Sequence, residues 1–339
     1  MTQRHVIIEK KNVLVAGGAG FLGSHLCDEL VKTCKVICVD NFSTGSIENI
    51  NHLLQNPDFK FIKHDLTESI DLEKFAELRP FKVAFQGVQE IYNLACPTSP
   101  KEFTKLPVET LLANALASRH LLDLAVQYES KYLLTSSSAV YGEPVDSQPF
   151  RENYWGFIDP IGPRSCYNEG KRFAESLTMT YRERKKLDAK VVRIFNTFGP
   201  RMRLTDGRLI PDLVKSALAG EPLQIYGRPD AESTFCYVTD MIDGIVKMMK
   251  SPEGGPINLG NPDGVLLITV AEKILALTQS TSAIEHLDAH PFASRQGSPD
   301  IHMARERLGW FPTIPLEDGL MQTIETMKAS RIMSYQPSA

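Results

Sequence analysis

The stretch VLVAGGAGFLGSHL (Val13–Leu26) decides the fold: an apolar run of strand length enters the turn Gly17-Gly18-Ala19-Gly20-Phe21-Leu22-Gly23 and leaves it as a helix-length segment. Where a buried strand turns into a helix, each glycine has a physical task. One allows the tight turn, one lets backbone N–H groups approach a pyrophosphate, and one permits close helix-to-strand packing. A glycine triplet alone is a weak signal. It is strengthened by the next strand-like run, Val36–Asp40, which ends in an acid twenty positions after Gly20. A carboxylate there accepts hydrogen bonds from the adenosine ribose hydroxyls and repels a 2′-phosphate, so NAD is favoured over NADP. Asp65, ending the following run KFIKHDL, is placed either to reach adenine or to cap a helix.

Outward from this stretch, apolar runs alternate with helix-length segments: Val13–Ala16, Ser24–Lys32, Val36–Asp40, Ile47–Leu54, Phe59–Asp65, Glu90–Ala95, Leu106–Tyr128 and Tyr132–Ser136. Parallel strands need long crossover connections, so the alternation predicts an α/β fold with a Rossmann-type doubly wound parallel sheet. Glu169–Lys185 reads as a further long helix, and Lys190–Phe195 as a strand ending in the loop Asn196–Arg203. After about residue 200 the elements shorten and Pro/Gly interruptions appear, at Asp206-Gly207, Gly220-Glu221-Pro222, Gly254-Gly255-Pro256 and Gly260-Asn261-Pro262. The expected division is a dinucleotide-binding domain over 1–200, a smaller C-terminal substrate-binding lobe over 201–330 with some elements interleaved, and a flexible tail over 331–339. Asp240–Lys250 and Thr269–Gln279 are expected helices of the lobe, and Leu308-Gly309-Trp310 closes a third.

Composition excludes several classes. With 42% hydrophobic and 23% charged residues among 339, the chain is neither disordered nor a coiled coil. A net charge of −4 gives no electrostatic reason to expect nucleic acid or an anionic membrane as partner. The six cysteines form no C-x-x-C pair, and the eight histidines are dispersed, so no metal site is expected. The first twelve residues hold too short an apolar stretch for a secretory signal, and no run of 18 apolar residues occurs. Free thiols in a cytoplasmic protein are the expectation.

TSSSAVYG (Thr135–Gly142) follows a buried run, and CYNEGKR (Cys166–Arg172) opens a helix. Tyr167 and Lys171 are four apart, hence on one helix face. A lysine ammonium at that spacing stabilises tyrosinate, which makes the phenol a base for a sugar hydroxyl as hydride leaves for nicotinamide. Ser137, on the preceding strand, would hydrogen-bond the same oxygen. The spacing alone is common on amphipathic helices; its order and distance from the glycine turn and serine run make the catalytic reading.

On these motifs the chain resembles the extended short-chain dehydrogenase/reductase (NAD-dependent epimerase/dehydratase) family, and within it is most similar to the UDP-glucuronate decarboxylases. The matching segments are VLVAGGAGFLGSHL, VDNFSTG, IYNLACPTSP, PIGPRSCYNEGKR, RIFNTFGPRM, DGRLIP, FCYVTDMIDG, INLGNP and PDIHMARERLGW. The resemblance implies Ser137, Tyr167 and Lys171 as catalytic trio. It implies an NAD site made by Gly17, Gly20, Phe21, Leu22, Gly23, Asp40, Asn41, Ser43, Thr44, Gly45, Asp65, Leu66, Leu94, Ala95 and Asn114. A UDP-sugar would be held by Pro97, Ser99, Asn196, Arg201, Arg208, Tyr226, Arg228 and Arg295. The long helices Leu106–Tyr128 and Glu169–Lys185 would pair in a four-helix homodimer interface.

The family pattern breaks at three places. Where decarboxylases read T-S-E-V-Y-G, this chain has Ala139 in place of the acid; where they read R-Q-R-K-P-D-I, Gly297 replaces an arginine; and Ser233 replaces the arginine of T-R-S-F. Ser138-Ala139 cannot supply the acid pair of a 4,6-dehydratase. A short insertion, Arg79–Gly87, is expected to be a surface loop. The trio still supports oxidation of carbon 4 to a ketone. That places 4-epimerisation of a UDP-sugar first, decarboxylation of UDP-glucuronate second, and a non-catalytic binding relative third.

Overall fold

The computed structural model describes residues 9–205, 207–288 and 297–334. Seven strands form its main sheet: β1 (Asn12–Ala16), β2 (Lys35–Asp40), β3 (Phe59–Lys63), β4 (Glu90–Asn93), β5 (Lys131–Ser137), β6 (Ala189–Ile194) and β7 (Pro256–Leu259). Their spatial order is β7-β6-β5-β4-β1-β2-β3, and every neighbouring pair is parallel. The order reverses direction between β1 and β4, and a crevice beyond the carboxyl ends of strands at such a reversal is where ligands bind in open α/β sheets.

Burial on both faces explains the unbroken apolar runs Val13–Ala16 of β1 and Val36–Val39 of β2. Val13 and Val15 of β1 and Val36 and Cys38 of β2 join one core, whereas Leu14, Ala16, Ile37 and Val39 join a second, on the opposite face. The first core is roofed by α1 (Phe21–Val31), and the second by α3 (Ser118–Gln127) and α4 (Ser165–Lys185). The chain beyond residue 200 is not a separate body: β7 returns to the sheet beside β6. The remainder adds two-stranded pairs, Cys236–Tyr237 with Thr197–Phe198, Gly264–Leu266 with Glu232–Thr234, and Ile284–Leu287 with Leu223–Tyr226. Helices Leu209–Ala219, Val238–Lys250 and Leu267–Thr278 cover them.

Several local expectations need correction. Ile47–Leu54 is two 3₁₀ turns, because Ile50 leaves helical geometry at φ −121° and ψ 0° and Asn49 donates to the Ala19 carbonyl instead. Leu106–Tyr128 is helical but not regular: α2 (Pro107–Leu112) passes through a π turn at Ala113–Ala117 before α3. The insertion Arg79–Gly87 is not a plain loop. Phe81 and Val83 drop into the second core, which winds the segment into 3₁₀ and helical turns and leaves Phe85 exposed. The C-terminal helix Leu316–Ser334 extends past residue 330, so Arg331–Ser334 is helical. Residues 335–339, Asp206 and Arg295 lie outside the described residues.

One buried carboxylate fastens the end of the chain to the fold. Asp240 accepts hydrogen bonds from Thr313 N (3.0 Å), Thr313 Oγ1 (2.9 Å) and Ile314 N (2.9 Å), and its carbonyl accepts from Trp310 Nε1 (2.8 Å). Bonds to charged groups are worth about 1.5–3 kcal/mol each, not additively. Asp240→Ala should therefore lower unfolding stability by roughly 2–4 kcal/mol, read as an earlier urea midpoint; an unchanged midpoint would refute this anchoring role.

Candidate active site

β5 ends at Ser137, and the chain turns at once into a 3₁₀ turn over Ser138–Tyr141. Ser137 Oγ accepts from Ala139 N at 3.2 Å, which leaves its own proton free to be donated into the crevice. Across from it, α4 presents Tyr167 and Lys171, both buried. Lys171 Nζ donates to the Thr135 carbonyl at 3.0 Å, so the ammonium is tied to the strand that carries Ser137. The Tyr167 ring lies against Phe103 with centroids 5.3 Å apart and planes at 10°. All three side chains line one crevice of about 1230 Å³, room for more than one large ligand.

The helix is held in register by a partly buried ion pair. Glu175, four residues beyond Lys171, receives Arg193 of β6 through Nε (2.9 Å) and Nη2 (2.7 Å) and the Ser136 hydroxyl at 2.5 Å. Arg193 also donates to the Glu152 carbonyl at 3.0 Å and lies 4.7 Å from the Tyr141 ring centroid. Asn114, on the π turn, donates to Cys96 Sγ (3.1 Å) and the Thr110 carbonyl (2.8 Å). A Cβ on Gly170 would sit 2.9 Å from Asn114 Nδ2, so the glycine inside Tyr167-Asn168-Glu169-Gly170-Lys171 is what lets the π turn touch α4. Burial pushes the Cys96 thiol up, against the pull of Lys171 and Asn114.

At the glycine turn the geometry matches a dinucleotide. Gly17 has φ +76°, donates to the Val39 carbonyl at 2.8 Å, and lies so near Leu94 and Ala95 that a Cβ would meet their backbone at 2.9 Å. A Cβ on Gly23 would fall 2.1 Å from the Gly17 carbonyl oxygen. No side chain caps α1 at Gly20, so the first-turn N–H groups are left to a phosphate. Phe21, Leu22, Asp40, Asn41, Ser43, Thr44, Asp65, Leu66, Leu94 and Ala95 line the same crevice. Gly45 and Asn114 stand just behind its wall: a Cβ on Gly45 would lie 2.9 Å from either Asp40 oxygen. Burial raises the Asp40 carboxyl above its usual value, although it accepts from Phe42 N (2.8 Å) and Ala19 N (3.0 Å). Burial would push Asp65 up as well, but the Thr67 hydroxyl and N–H and the Asn41 amide outweigh it and hold the carboxyl low. Asp65 thus performs the capping role for its turn while facing the crevice.

On the sugar side, Pro97, Ser99, Asn196, Arg201, Arg208, Tyr226 and Arg228 all line the crevice. Several are already engaged. Asn196 Nδ2 donates to Ser233 Oγ at 2.8 Å, Arg208 Nη2 to Thr98 Oγ1 at 2.6 Å, and Arg228 pairs with Asp230. Ser99 Oγ caps the helix Pro100–Lys105 through Glu102 N. Arg201 reaches Asp28 on α1 through Nη2 at 2.6 Å, while its buried Nη1 has no partner among the described residues. Ala139 and Gly297 both face the crevice, and a Cβ on Gly297 would sit 2.6 Å from the Phe150 ring. Three of the lining residues that sequence reasoning missed stand out by their contacts. Arg203 donates to the Gly45 carbonyl at 2.8 Å, Arg164 flanks Tyr167, and Phe150 fills the space beside Gly297. Only Arg164 carried a local signal, three positions before the tyrosine.

The model of the NAD dependent epimerase/dehydratase family matches residues 13–260. UDP-glucuronic acid decarboxylase 3 of Arabidopsis thaliana is 41% identical over 310 residues, 91% of this chain and 86% of that protein. UDP-glucuronic acid decarboxylase 1 of Danio rerio is 40% identical over 329 residues, 97% and 75% of the two chains. Among solved structures, the UDP-glucuronic acid 4-epimerase of Bacillus cereus with UDP-glucuronic acid and NAD superposes with TM-score 0.81 at 27% identity, covering 94% of this chain and 99% of that one.

Removing one partner of a fully buried ion pair costs about 3–5 kcal/mol. Glu175→Ala strands an Arg193 that keeps some solvent contact, so the loss in a denaturant titration should fall below that range; a loss within experimental error would show that the pair does not hold α4.

Proposed function

The chain belongs to the NAD-dependent epimerase/dehydratase family, and from that premise we propose that its substrate is UDP-glucuronate, oxidised at carbon 4 and decarboxylated to a UDP-pentose. The observation that carries this reading is the 41% identity to plant UDP-glucuronic acid decarboxylases along 91% of the chain. It reverses the order expected from Ala139 and Gly297, which placed epimerisation first.

The chemistry that bound NAD supplies is reversible hydride transfer at carbon 4. Tyr167 takes the proton of the carbon-4 hydroxyl, with the Lys171 charge stabilising the phenolate. Ser137, whose oxygen already accepts from Ala139 N, donates its own proton to the developing carbonyl oxygen. The product is a β-keto acid. Its bond between carbons 5 and 6 breaks, carbon dioxide leaves, and the electron pair flows to the carbon-4 oxygen; carbon 5 then takes a proton before the ketone is reduced. A second reading, 4-epimerisation, is favoured by the methyl group of Ala139 facing the sugar, since the keto acid then has no carboxyl neighbour at that position to manage the carbon-5 proton.

We also divide the chain at about residue 200 into a cofactor half and a substrate half, with β7 returned to the first. Among the described residues no helix is long and apolar enough to cross a membrane; six free cysteines support a cytoplasmic setting. Val108, Leu111 and Leu112 on α2, Leu116 beyond it and Phe173 on α4 expose apolar side chains on packed helices. They support a homodimer joined by four helices.

NAD-loaded protein incubated with UDP-glucuronate should release carbon dioxide and a UDP-pentose, followed by mass and NMR. An isobaric product would establish the second reading, and no conversion would remove both. Tyr167→Phe should abolish turnover and leave NAD bound. Leu111→Glu combined with Phe173→Glu should give a monomer by light scattering; a persisting dimer would discard that face.

A further inference from the structure

α4 fixes where the Tyr167 side chain begins, but the phenol oxygen lies at its far end. A small swing about Cα–Cβ, well within one rotamer, displaces that oxygen, and rotation of the ring turns the direction of its O–H. Something beside the ring has to restrain both movements. Among the described residues its one stacking partner is Phe103, with centroids 5.3 Å apart and planes at 10°. Phe103 is fully buried on the short helix Pro100–Lys105, which starts at the Ser99 cap. Three contacts hold this segment against the site. The Cys166 thiol donates to the Phe103 carbonyl at 3.7 Å, the Thr98 hydroxyl accepts from Arg208 Nη2 at 2.6 Å, and a Cβ on Gly207 would lie 3.1 Å from Lys101 Cβ. The Arg164 guanidinium carbon stands over the same ring, 5.8 Å from its centroid.

The groups that the phenol oxygen must meet do not follow it when it moves. Lys171 Nζ is tied to the Thr135 carbonyl at 3.0 Å, and the Ser137 oxygen to Ala139 N at 3.2 Å. The tyrosine therefore has to be held to them. Cys96, Cys166 and Ala139 pack in the same small core, but none of them has a flat face to lay against the phenol. Phe103 has one, and a stacked ring loses contact or collides when its neighbour swings or turns. We propose that Phe103 is a positioning residue for Tyr167: its ring keeps the phenol oxygen in reach of the Lys171 charge and of the carbon-4 hydroxyl. A misplacement of about 1 Å can cost on the order of 100-fold in rate, so the effect belongs to the chemical step and not to binding.

This rests on Tyr167 acting at carbon 4 of a UDP-sugar, a step that decarboxylation and epimerisation share, and the test keeps the two questions apart. NAD-loaded wild type, Phe103→Leu and Phe103→Met are each offered UDP-glucuronate, UDP-xylose and UDP-glucose, and nicotinamide reduction and product formation are followed per bound NAD, so that unfolded protein does not count as slow protein. Leucine leaves space beside the phenol, whereas methionine fills it without a flat face. Both variants should lower kcat by roughly 10- to 100-fold with KM unchanged. A leucine variant at the wild-type rate, a methionine variant at the wild-type rate, or a loss that appears in KM alone overturns the role of Phe103. Wild-type turnover confined to UDP-xylose or UDP-glucose overturns the UDP-glucuronate reading, and the same comparison of variants on that sugar decides the role of Phe103. A wild type that reduces its nicotinamide with none of the three overturns both.

Discussion

Everything catalytic in this fold depends on where one helix rests on the sheet, and the Glu175–Arg193 ion pair sets that place. Tyr167, Lys171 and Glu175 follow one another at intervals of four, so they share a face of α4, and the end that is pinned fixes the end that reacts. A buried pair stabilises only if its remaining donors and acceptors are satisfied. Here the Ser136 hydroxyl, the Glu152 carbonyl and the face of Tyr141 do so. Ser136 is also the neighbour of Ser137, so the same contact registers strand and helix against each other.

The second constraint is the way the substrate half is fastened to the cofactor half. After β6 the chain passes over α1, where Pro200 O meets His25 Nε2 at 3.0 Å, Arg201 meets Asp28, and Arg203 meets the Gly45 carbonyl. Burial lowers the His25 ring below its usual value, with the Pro200 carbonyl pulling the other way. Burial thus favours the neutral ring at this contact. The loop bearing Asn196 and Arg208 is thus mounted on the helix whose start faces the phosphates.

What could be read from the sequence was whatever has a local signature. The strands announced themselves because burial on both faces removes polar residues from them, and Gly17, Gly23, Tyr167 and Lys171 because a turn and a helix face impose fixed spacings. Contacts between residues far apart in the chain leave no such trace. Nothing near Arg201 in sequence pointed to Asp28, and nothing near Gly297 pointed to Phe150. The π turn at Ala113–Ala117 was hidden for a related reason: its cause is the approach of Gly170, from another helix. Ile47–Leu54 misled through composition, its apolar spacing being helical while the Asn49 side chain is tied to the Ala19 carbonyl.

Phe150 does more than fill space beside Gly297. Its N–H donates to the Ser298 carbonyl at 2.8 Å, its carbonyl accepts from Asp300 N and Asn258 Nδ2, and its ring stacks on Tyr141 and Tyr154. A larger residue at 297 collides with a ring that cannot step aside, and a smaller residue at 150 opens a hole beside a glycine that cannot fill it. The two positions therefore share one space, and a change at either has to be weighed with the residue at the other.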